Sequence, residues 1–156
     1  MTYRDAIARL LSRDCNRYIN AKDQAAEFTA KALNDTTVIE PLWMGFVENF
    51  ADVQAATGLD LKGYMVLLPG DTPRHVEKVH GNDGQGQRPA TPADYDKLPR
   101  ALAEAEKIRS GEPSRKGNST VVTDTAIDGE TYHCVWEVLP GKRSRALALT
   151  TLVIKT

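Results

Sequence analysis

Two histidines in one short stretch are the side chains of this sequence best suited to proton transfer. His75 and His80 lie in Thr72–Gly81, TPRHVEKVHG, and the sequence has 3 histidines in all. Histidine exchanges a proton near neutral pH, so it can act as a general acid or base. Thr72-Pro73 is typical of a helix N-terminus and Gly81 of a helix end, so both histidines are predicted to lie on one short helix.

A basic segment near the C-terminal end supplies cations. Lys142 and Arg143 lie between the last two predicted strands, Arg145 begins the last one, and no acidic residue occurs from 139 to 156. Lysine and arginine bind phosphate, arginine in a bidentate manner. Thr150 and Thr151 follow on the next predicted strand, where one hydroxyl is expected on each face. An exposed hairpin that carries basic residues for solubility is the alternative interpretation.

Glu137 is a further candidate for proton transfer. It lies four residues after His133 on a predicted strand, so both side chains are expected on one face with Val135 between them. Glu137 could pair with His75 or His80 across the site. The opposite face of this strand is more apolar and is the better candidate for the core.

Together these residue types can exchange protons and bind a phosphate group. The sequence contains no ligand pair at zinc-site spacing, no P-loop and no nucleophile elbow. We therefore predict no metal and no cofactor.

The first third of the chain is predicted to be helical. Apolar residues recur at helical spacing from Thr2 to about Asn20 and again from Ala25 to Leu33. Pro41 suits the first turn of a third helix, which would extend through Val53 and end at Gly58.

The remaining chain is predicted to alternate short helices with strands. The apolar run Tyr64–Leu68 predicts a buried strand, and Ala93–Ile108 predicts a helix that follows the cap Thr91-Pro92. Asp128-Gly129 predicts a two-residue hairpin turn. Three strands are predicted around and after this turn, at Thr120–Ile127, Thr131–Leu139 and Arg145–Ile154. The predicted fold is α+β, with N-terminal helices and then short helices packed on a three- or four-stranded antiparallel sheet.

Composition and charge limit the classes of protein. A length of 156 residues, with 41% hydrophobic and 26% charged residues, fits one globular domain or a small domain with an appendage. A net charge of −1 argues against a strongly basic nucleic-acid coat protein. The sequence has no apolar run long enough for a membrane span and no secretory signal. Its 2 cysteines, Cys15 and Cys134, do not make a disulfide framework, so we expect a reducing cytoplasm.

Several ordered motifs make residues 62–156 resemble a known nuclease class. They are HVEKVHG (75–81), QGQ (85–87), TPADY (91–95), YHCVWEV (132–138), GKR (141–143) and ALALTT (146–151). In this order they resemble the phage-type barnase–EndoU–colicin–RelE-like nucleases, the nuclease family of phage polyvalent proteins. Gln85 departs from the pattern, because a basic residue is expected before Gly86-Gln87.

The resemblance implies a small metal-independent ribonuclease-like domain with a barnase- or RelE-like fold. It implies a phage or mobile-element toxin or effector that acts on RNA, with tRNA as a candidate substrate, in the cytoplasm of a bacterial or phage-infected cell. A cognate inhibitor or a host protein is the further partner to expect. The full predicted site consists of His75, His80, Thr150, Thr151 and Glu137 as catalytic residues, with Lys142, Arg143 and Arg145 as substrate-binding residues.

Residues 1–60 are predicted to form a helical N-terminal extension, which has no counterpart in that class. Residues 62–156 are predicted to form the nuclease-like domain. The alternative function comes from a different class of protein. With a near-neutral charge and only 3 histidines, the chain also fits a non-catalytic phage accessory protein that binds a host or virion protein.

Overall fold

The structure, a computed structural model, contains helices and one sheet. It describes residues 25–37, 41–80, 86–140 and 145–156. For residues 78–80 it describes the backbone alone. The helix predicted from Thr2 to Asn20 lies outside these residues. The helices are α1 (Ala25–Asn34), α2 (Phe50–Thr57), α3 (Thr72–His80), α4 (Pro92–Tyr95) and α5 (Leu98–Ala103). The strands are β1 (Leu42–Phe46), β2 (Met65–Leu68), β3 (Gln87–Arg88), β4 (Lys107–Ser110), β5 (Thr120–Ile127), β6 (Glu130–Leu139) and β7 (Ala146–Lys155).

The strands form one mixed sheet in the order β1-β2-β7-β6-β5-β4, and β3 pairs with the end of β7. β2 runs parallel to β7, whereas β4, β5, β6 and β7 form an antiparallel meander. The α+β class is therefore confirmed. The prediction of three or four antiparallel strands is wrong, because the sheet has seven strands and is mixed.

The helix predicted from Pro41 is a strand over its first half. Leu42–Phe46 pairs with β2, and Gly45 has φ +104°, a left-handed conformation that an α-helix does not contain. The helix begins only at Phe50 and ends at Gly58 in the left-handed conformation, as the sequence predicted for its C-terminus. Strand pairing and the burial of Trp43 decide the structure of this segment.

The helix predicted over Ala93–Ile108 is also shorter in the structure. It consists of the two short helices α4 and α5, and Lys107–Ser110 is the edge strand β4 paired with β5. The three later strands and the Asp128-Gly129 turn are confirmed. Both turn residues have positive φ, +52° and +81°, as a type I′ hairpin requires.

Alternation along β6 separates the two faces of the sheet. Its inner face, which carries Tyr132, Cys134, Trp136 and Val138, is buried in the main core. Helices α3, α4 and α5 cover this face, and their core residues include Val76, Tyr95, Leu98 and Leu102. The outer face carries the intervening residues of β6, which are half-buried. At the β1–β2 end, a smaller apolar cluster covers the outer face, with Trp43, Met65, Leu67, Ala146 and Ala148 as its buried members.

The predicted division of the chain near residue 60 stays a prediction. Strand β1 comes from the first predicted segment, yet it pairs with β2 from the second. Among the described residues, no helix is both long enough and apolar enough to cross a membrane.

A partly buried ion cluster links β3 and α4 to the β5–β6 hairpin, with the side chains of Arg88 and Glu130 29% and 25% exposed. The Arg88 guanidinium donates two hydrogen bonds to Asp94 at 2.8 Å and two to Glu130 at 2.6 and 3.0 Å. Its remaining donor reaches the carbonyl of Pro89 at 3.1 Å. All five N–H donors of the guanidinium are therefore satisfied.

Asp94 is the acceptor at the centre of this cluster and is only 3% exposed. It also accepts hydrogen bonds from the Thr91 N–H at 2.7 Å, as in a capping box, and from the Tyr132 hydroxyl at 2.7 Å. Burial raises the pKa of Asp94, but the hydrogen bonds from Arg88, Thr91 and Tyr132 outweigh burial and hold that pKa well below its usual range. The charged form of Asp94 is thus strongly stabilised by folding.

Because the pKa of Asp94 is depressed in the folded state, its contribution to stability is complete above the unfolded pKa of about 3.9 and is lost as the pH falls toward the folded value. We expect Asp94→Asn to lower the free energy of unfolding at pH 7 by about 1–3 kcal/mol, because Arg88 keeps Glu130 as a partner but loses its charge-assisted hydrogen bonds to Asp94. We also expect the variant to lose less stability than the parent between pH 5 and pH 3. Urea unfolding followed by circular dichroism across this range measures both effects.

Asp128→Asn is the matched control. Its carboxylate pairs with Lys97 at 3.3 Å but its side chain is 68% exposed, and asparagine tolerates the left-handed conformation at this turn. This variant should stay within about 0.5 kcal/mol of the parent. An Asp94→Asn variant with the acid dependence of the parent would contradict the role given to this carboxylate.

Candidate functional site

Helix α3 places His75 at the protein surface. The Thr72 hydroxyl at the start of the helix donates a 2.7 Å hydrogen bond to the carbonyl of Leu149 in β7. Val76 is 2% exposed and joins the main core, whereas its neighbour His75 is exposed. The helix therefore packs against β7, and it lies on the side of the sheet that the helices cover, with His75 exposed.

Part of the predicted site lies outside the described residues. The side chain of His80 and all of Lys142 and Arg143 belong to this part, so their roles stay predictions. Arg145 is described: its side chain is exposed, and its carbonyl accepts the N–H of Met65 at 3.1 Å. This hydrogen bond places Arg145 at the start of the β2–β7 pairing.

A β-bulge separates the two threonines of β7. Val135 of β6 pairs with Thr151 and the next residue, Trp136, pairs with Leu149, so Thr150 is the extra residue. The Thr150 hydroxyl donates to the carbonyl of Val135 at 3.0 Å. Thr151 lies opposite Val135 on the outer face and is half-buried. Bulges of this kind are frequent beside active sites, where they redirect a side chain.

Glu137 and His133 share the outer face with Val135 between them, as predicted. Each is two residues from Val135, a distance of about 6.6 Å along the strand at roughly 3.3 Å per residue. The structure therefore brings Glu137 and Thr151 together on one face. His75 lies on a helix whose apolar side packs on the other face.

Asp124 holds the ring of His133. Its Oδ1 lies 2.7 Å from Nδ1 of His133, and the two residues are directly opposite each other on β5 and β6. With Nδ1 engaged by the carboxylate, Nε2 is the nitrogen left to exchange a proton with another group. The side chain of His133 is 19% exposed and that of Asp124 is 27% exposed.

The loop between β4 and β5 holds Glu137 at the other end of the face. Asn118 Nδ2 donates to Glu137 Oε2 at 3.1 Å, and Val138 N–H donates to the carbonyl of Ser119 at 2.9 Å. Thr120 Oγ1 donates to the carbonyl of Glu112 at 2.8 Å, which fixes the base of the loop. Both ends of the face are therefore held by hydrogen bonds, while its middle consists of Val135 and Thr151.

The described residues contain no cluster of three or more His, Cys, Asp or Glu side chains that could hold a metal ion. Cys134 lies on the inner face and is fully buried. Burial raises the pKa of Cys134 to about 12, so it is a neutral thiol near pH 7 rather than a nucleophilic thiolate.

An open cavity of about 530 Å³ lies at the β1 edge of the sheet. Phe46 lines it and is 55% exposed, and its ring makes an edge-to-face contact with Trp43 at a centroid distance of 5.2 Å. Glu48, Arg100 and Glu104 form part of its rim. This cavity lies on different elements from the His133–Asp124 pair.

Asp124 is a functional candidate that the sequence reasoning missed, although a signal was present. The two-residue turn at Asp128-Gly129 fixes the register of the hairpin, and that register places Asp124 opposite His133. Asn118 gave no such signal, because its contact with Glu137 depends on the path of an irregular loop.

Comparisons of the chain with protein-family models, with curated proteins and with solved structures find no match.

Gly111 allows the loop to lie close to the outer face. A Cβ at this position would lie 2.6 Å from Thr120 Oγ1 and 2.8 Å from Val122 Cγ2. We expect Gly111→Ala to lower the free energy of unfolding by about 1–3 kcal/mol, because the added methyl group overpacks this contact. Urea unfolding measures the change. Ser110→Ala, at the exposed neighbouring position, should stay within about 0.5 kcal/mol of the parent, and equal losses in both variants would refute the close approach.

Proposed function

We propose that the chain is a metal-independent endoribonuclease-like domain that cleaves RNA by transesterification, with tRNA as a candidate substrate. The observation that carries the proposal is the His133–Asp124 pair, which shares the outer face with Glu137. The proposal also rests on the resemblance of residues 62–156 to the phage-type barnase–EndoU–colicin–RelE-like nucleases. On that resemblance, the chain is a phage or mobile-element toxin or effector.

The reaction requires two proton transfers on opposite sides of phosphorus. The 2′-oxygen attacks phosphorus and loses its proton to a base, and the bond from phosphorus to the 5′-oxygen breaks as an acid protonates that oxygen. The products are a 2′,3′-cyclic phosphate and a free 5′-hydroxyl. Because the attacking and leaving oxygens lie in line, the acid and the base must flank the phosphate.

In this proposal His133 and Glu137 flank a phosphate that lies over Val135 and Thr151. Each is then about 6.6 Å away along the strand, on opposite sides, at roughly 3.3 Å per residue. In this proposal Glu137 is the base and protonated His133 is the acid. Asp124 fixes the orientation of the His133 ring, and the Thr151 hydroxyl donates to a phosphate oxygen.

The resemblance to the nuclease class gives a different assignment of the catalytic residues. His75 and His80 are the residues that the resemblance assigns to acid–base chemistry, and Lys142, Arg143 and Arg145 are its phosphate-binding cations. The outer face offers a second assignment of the acid and the base, His133 and Glu137. In this second assignment His75 and His80 have no part in proton transfer. Substitution of the two sets of residues distinguishes these assignments.

A non-catalytic role is the second candidate function. The exposed Phe46 beside Trp43, at the mouth of the cavity on the β1 edge, is the observation that favours a phage accessory protein with a protein partner. Large exposed aromatic residues are more common at binding surfaces than elsewhere on a soluble protein.

The purified protein should cleave tRNA or total RNA in the presence of EDTA and yield 2′,3′-cyclic phosphate ends. We expect His133→Gln and Glu137→Gln to reduce the cleavage rate by about 10²–10⁴-fold, because each removes one proton-transfer group. His75→Ala should keep a rate within a few-fold of the parent. Gel electrophoresis of end-labelled RNA gives the rates, and thermal unfolding checks that each variant is folded.

Thr131→Ala is the control on the same strand and face, two residues from His133. It should cleave at the rate of the parent. Absence of cleavage by the parent protein would refute the nuclease proposal. If the His133→Gln variant still cleaves RNA and the His75→Ala variant does not, the ribonuclease activity is supported and the catalytic site is on α3 instead of the outer face.

A further inference from the structure

Two cations of the edge strand β4 lie on the outer face, beside the His133–Asp124 pair. Lys107 is directly opposite Asp124 and Arg109 is opposite Val122 in the pairing of β4 with β5. Residues directly opposite each other in a sheet point to the same face, so both cations share the outer face with His133. Both side chains are exposed.

These two cations differ from three other cations of the molecule. Arg88, Lys97 and Arg100 each form an ion pair with a carboxylate. Within the described parts of the chain, Lys107 and Arg109 form no ion pair. Their charges are therefore available to a ligand.

The pairing places these cations in line with the proposed site. One row across the sheet consists of Lys107, Asp124 and His133 on successive strands. At a strand spacing of about 4.8 Å, Lys107 lies roughly 10 Å from His133 between their backbones. The next row runs from Arg109 through Val122 and Val135 to Thr151. A polymer that crosses the strands at right angles can touch the Thr151 hydroxyl and Arg109 at once.

Protection of a free sheet edge is the other role for charged residues on β4. Edge protection requires charged residues on the edge strand, but these residues can point to either face of the sheet. In β4 both cations point to the outer face, and the residue between them, Ile108, packs against the core on the inner face. The loop that follows carries two further exposed cations, Arg115 and Lys116, and its Asn118 contacts Glu137. Positive charge thus borders the same face along β4 and along this loop.

We propose that Lys107 and Arg109 bind the phosphate backbone of single-stranded RNA that lies across the outer face. This inference rests on the proposed ribonuclease function and adds a substrate-binding site to it on β4. An open sheet face favours a single strand, because the deep, narrow major groove of an RNA duplex does not admit side chains, whereas unpaired RNA can lie across a sheet. Local cations can bind RNA even though the net charge of the chain is −1.

Binding of a short fluorescent single-stranded RNA, 2′-O-methylated throughout, tests the site without cleavage, since its 2′-oxygens cannot attack phosphorus. The double variant Lys107→Ala/Arg109→Ala should bind roughly tenfold to a hundredfold more weakly at about 50 mM salt. The slope of log K against log salt should fall by about 1.4, because two phosphate contacts are lost at about 0.7 each for a single strand. Fluorescence anisotropy at several salt concentrations measures both quantities.

Lys31→Ala/Arg100→Ala is the matched control, because it removes one exposed lysine and one exposed arginine from helices α1 and α5. It should keep the affinity and the salt slope of the parent to within a few-fold. The β4 site is refuted if the parent protein does not bind the RNA, if the β4 variant binds like the parent, or if both double variants weaken binding equally.

Cleavage of unmodified RNA by the parent protein is measured in parallel and separates the two proposals. A parent that cleaves RNA while the β4 variant keeps full affinity for the methylated RNA would uphold the ribonuclease and refute the β4 site. A parent that binds the methylated RNA through β4 but cleaves no RNA would support the binding site and refute the ribonuclease.

Discussion

The guanidinium of Arg88 is the charge on which the organisation of this protein depends. Asp94 and Glu130 come from a helix start and a hairpin strand that are more than 30 residues apart in the chain, and both bind the same cation. Asp94 is buried, and its charge would be unfavourable there without a cation to compensate it. Tyr132 adds a hydrogen bond to Asp94 from within the core. The cluster thus fixes the short strand β3 and the start of helix α4 against the hairpin.

This anchoring helps to explain why the two faces of the sheet differ. The helices that follow β2 and β3 all pack on the inner face, so the polar residues of β5 and β6 are left on the outer face. There His133 and Asp124 are hydrogen-bonded to each other, and Glu137 accepts a hydrogen bond from Asn118. A half-buried polar face with fixed side chains is well suited to bind a charged ligand, because little reorganisation is needed on binding.

Local sequence signals predicted the elements whose stability is local. The Asp128-Gly129 turn, the alternation in β6 and the Gly58 cap were all readable, since each depends on a few neighbouring residues. Helical spacing wrongly predicts helix for β1 and for the first half of β4, because both strands depend on pairing with other strands, which the periodicity of a single segment does not report.

The candidate site shows the same limit. Alternation placed His133 and Glu137 on one face, but Thr150 could not be placed, because a bulge shifts the phase of β7. The sequence does contain a trace of that shift. Leu147 and Leu149 are in one phase, whereas Leu152 and Ile154 are in the other, and all four are buried in the core. A single extra residue between the two pairs is the simplest way to bury all of them.

The parallel pairing of β2 with β7 has a consequence for how the chain folds. Val66 pairs with Leu147, and β7 is also the neighbour of β3 and β6. During synthesis, β1 and β2 can pair early. Strand β7, the other neighbour of β2, is synthesised only about 80 residues later. Pairing between strands so far apart in the chain is slow. Until then the edge of β2 is open, with four consecutive apolar residues from Met65 to Leu68. Nascent chains that stall before β7 are therefore the species most prone to aggregate.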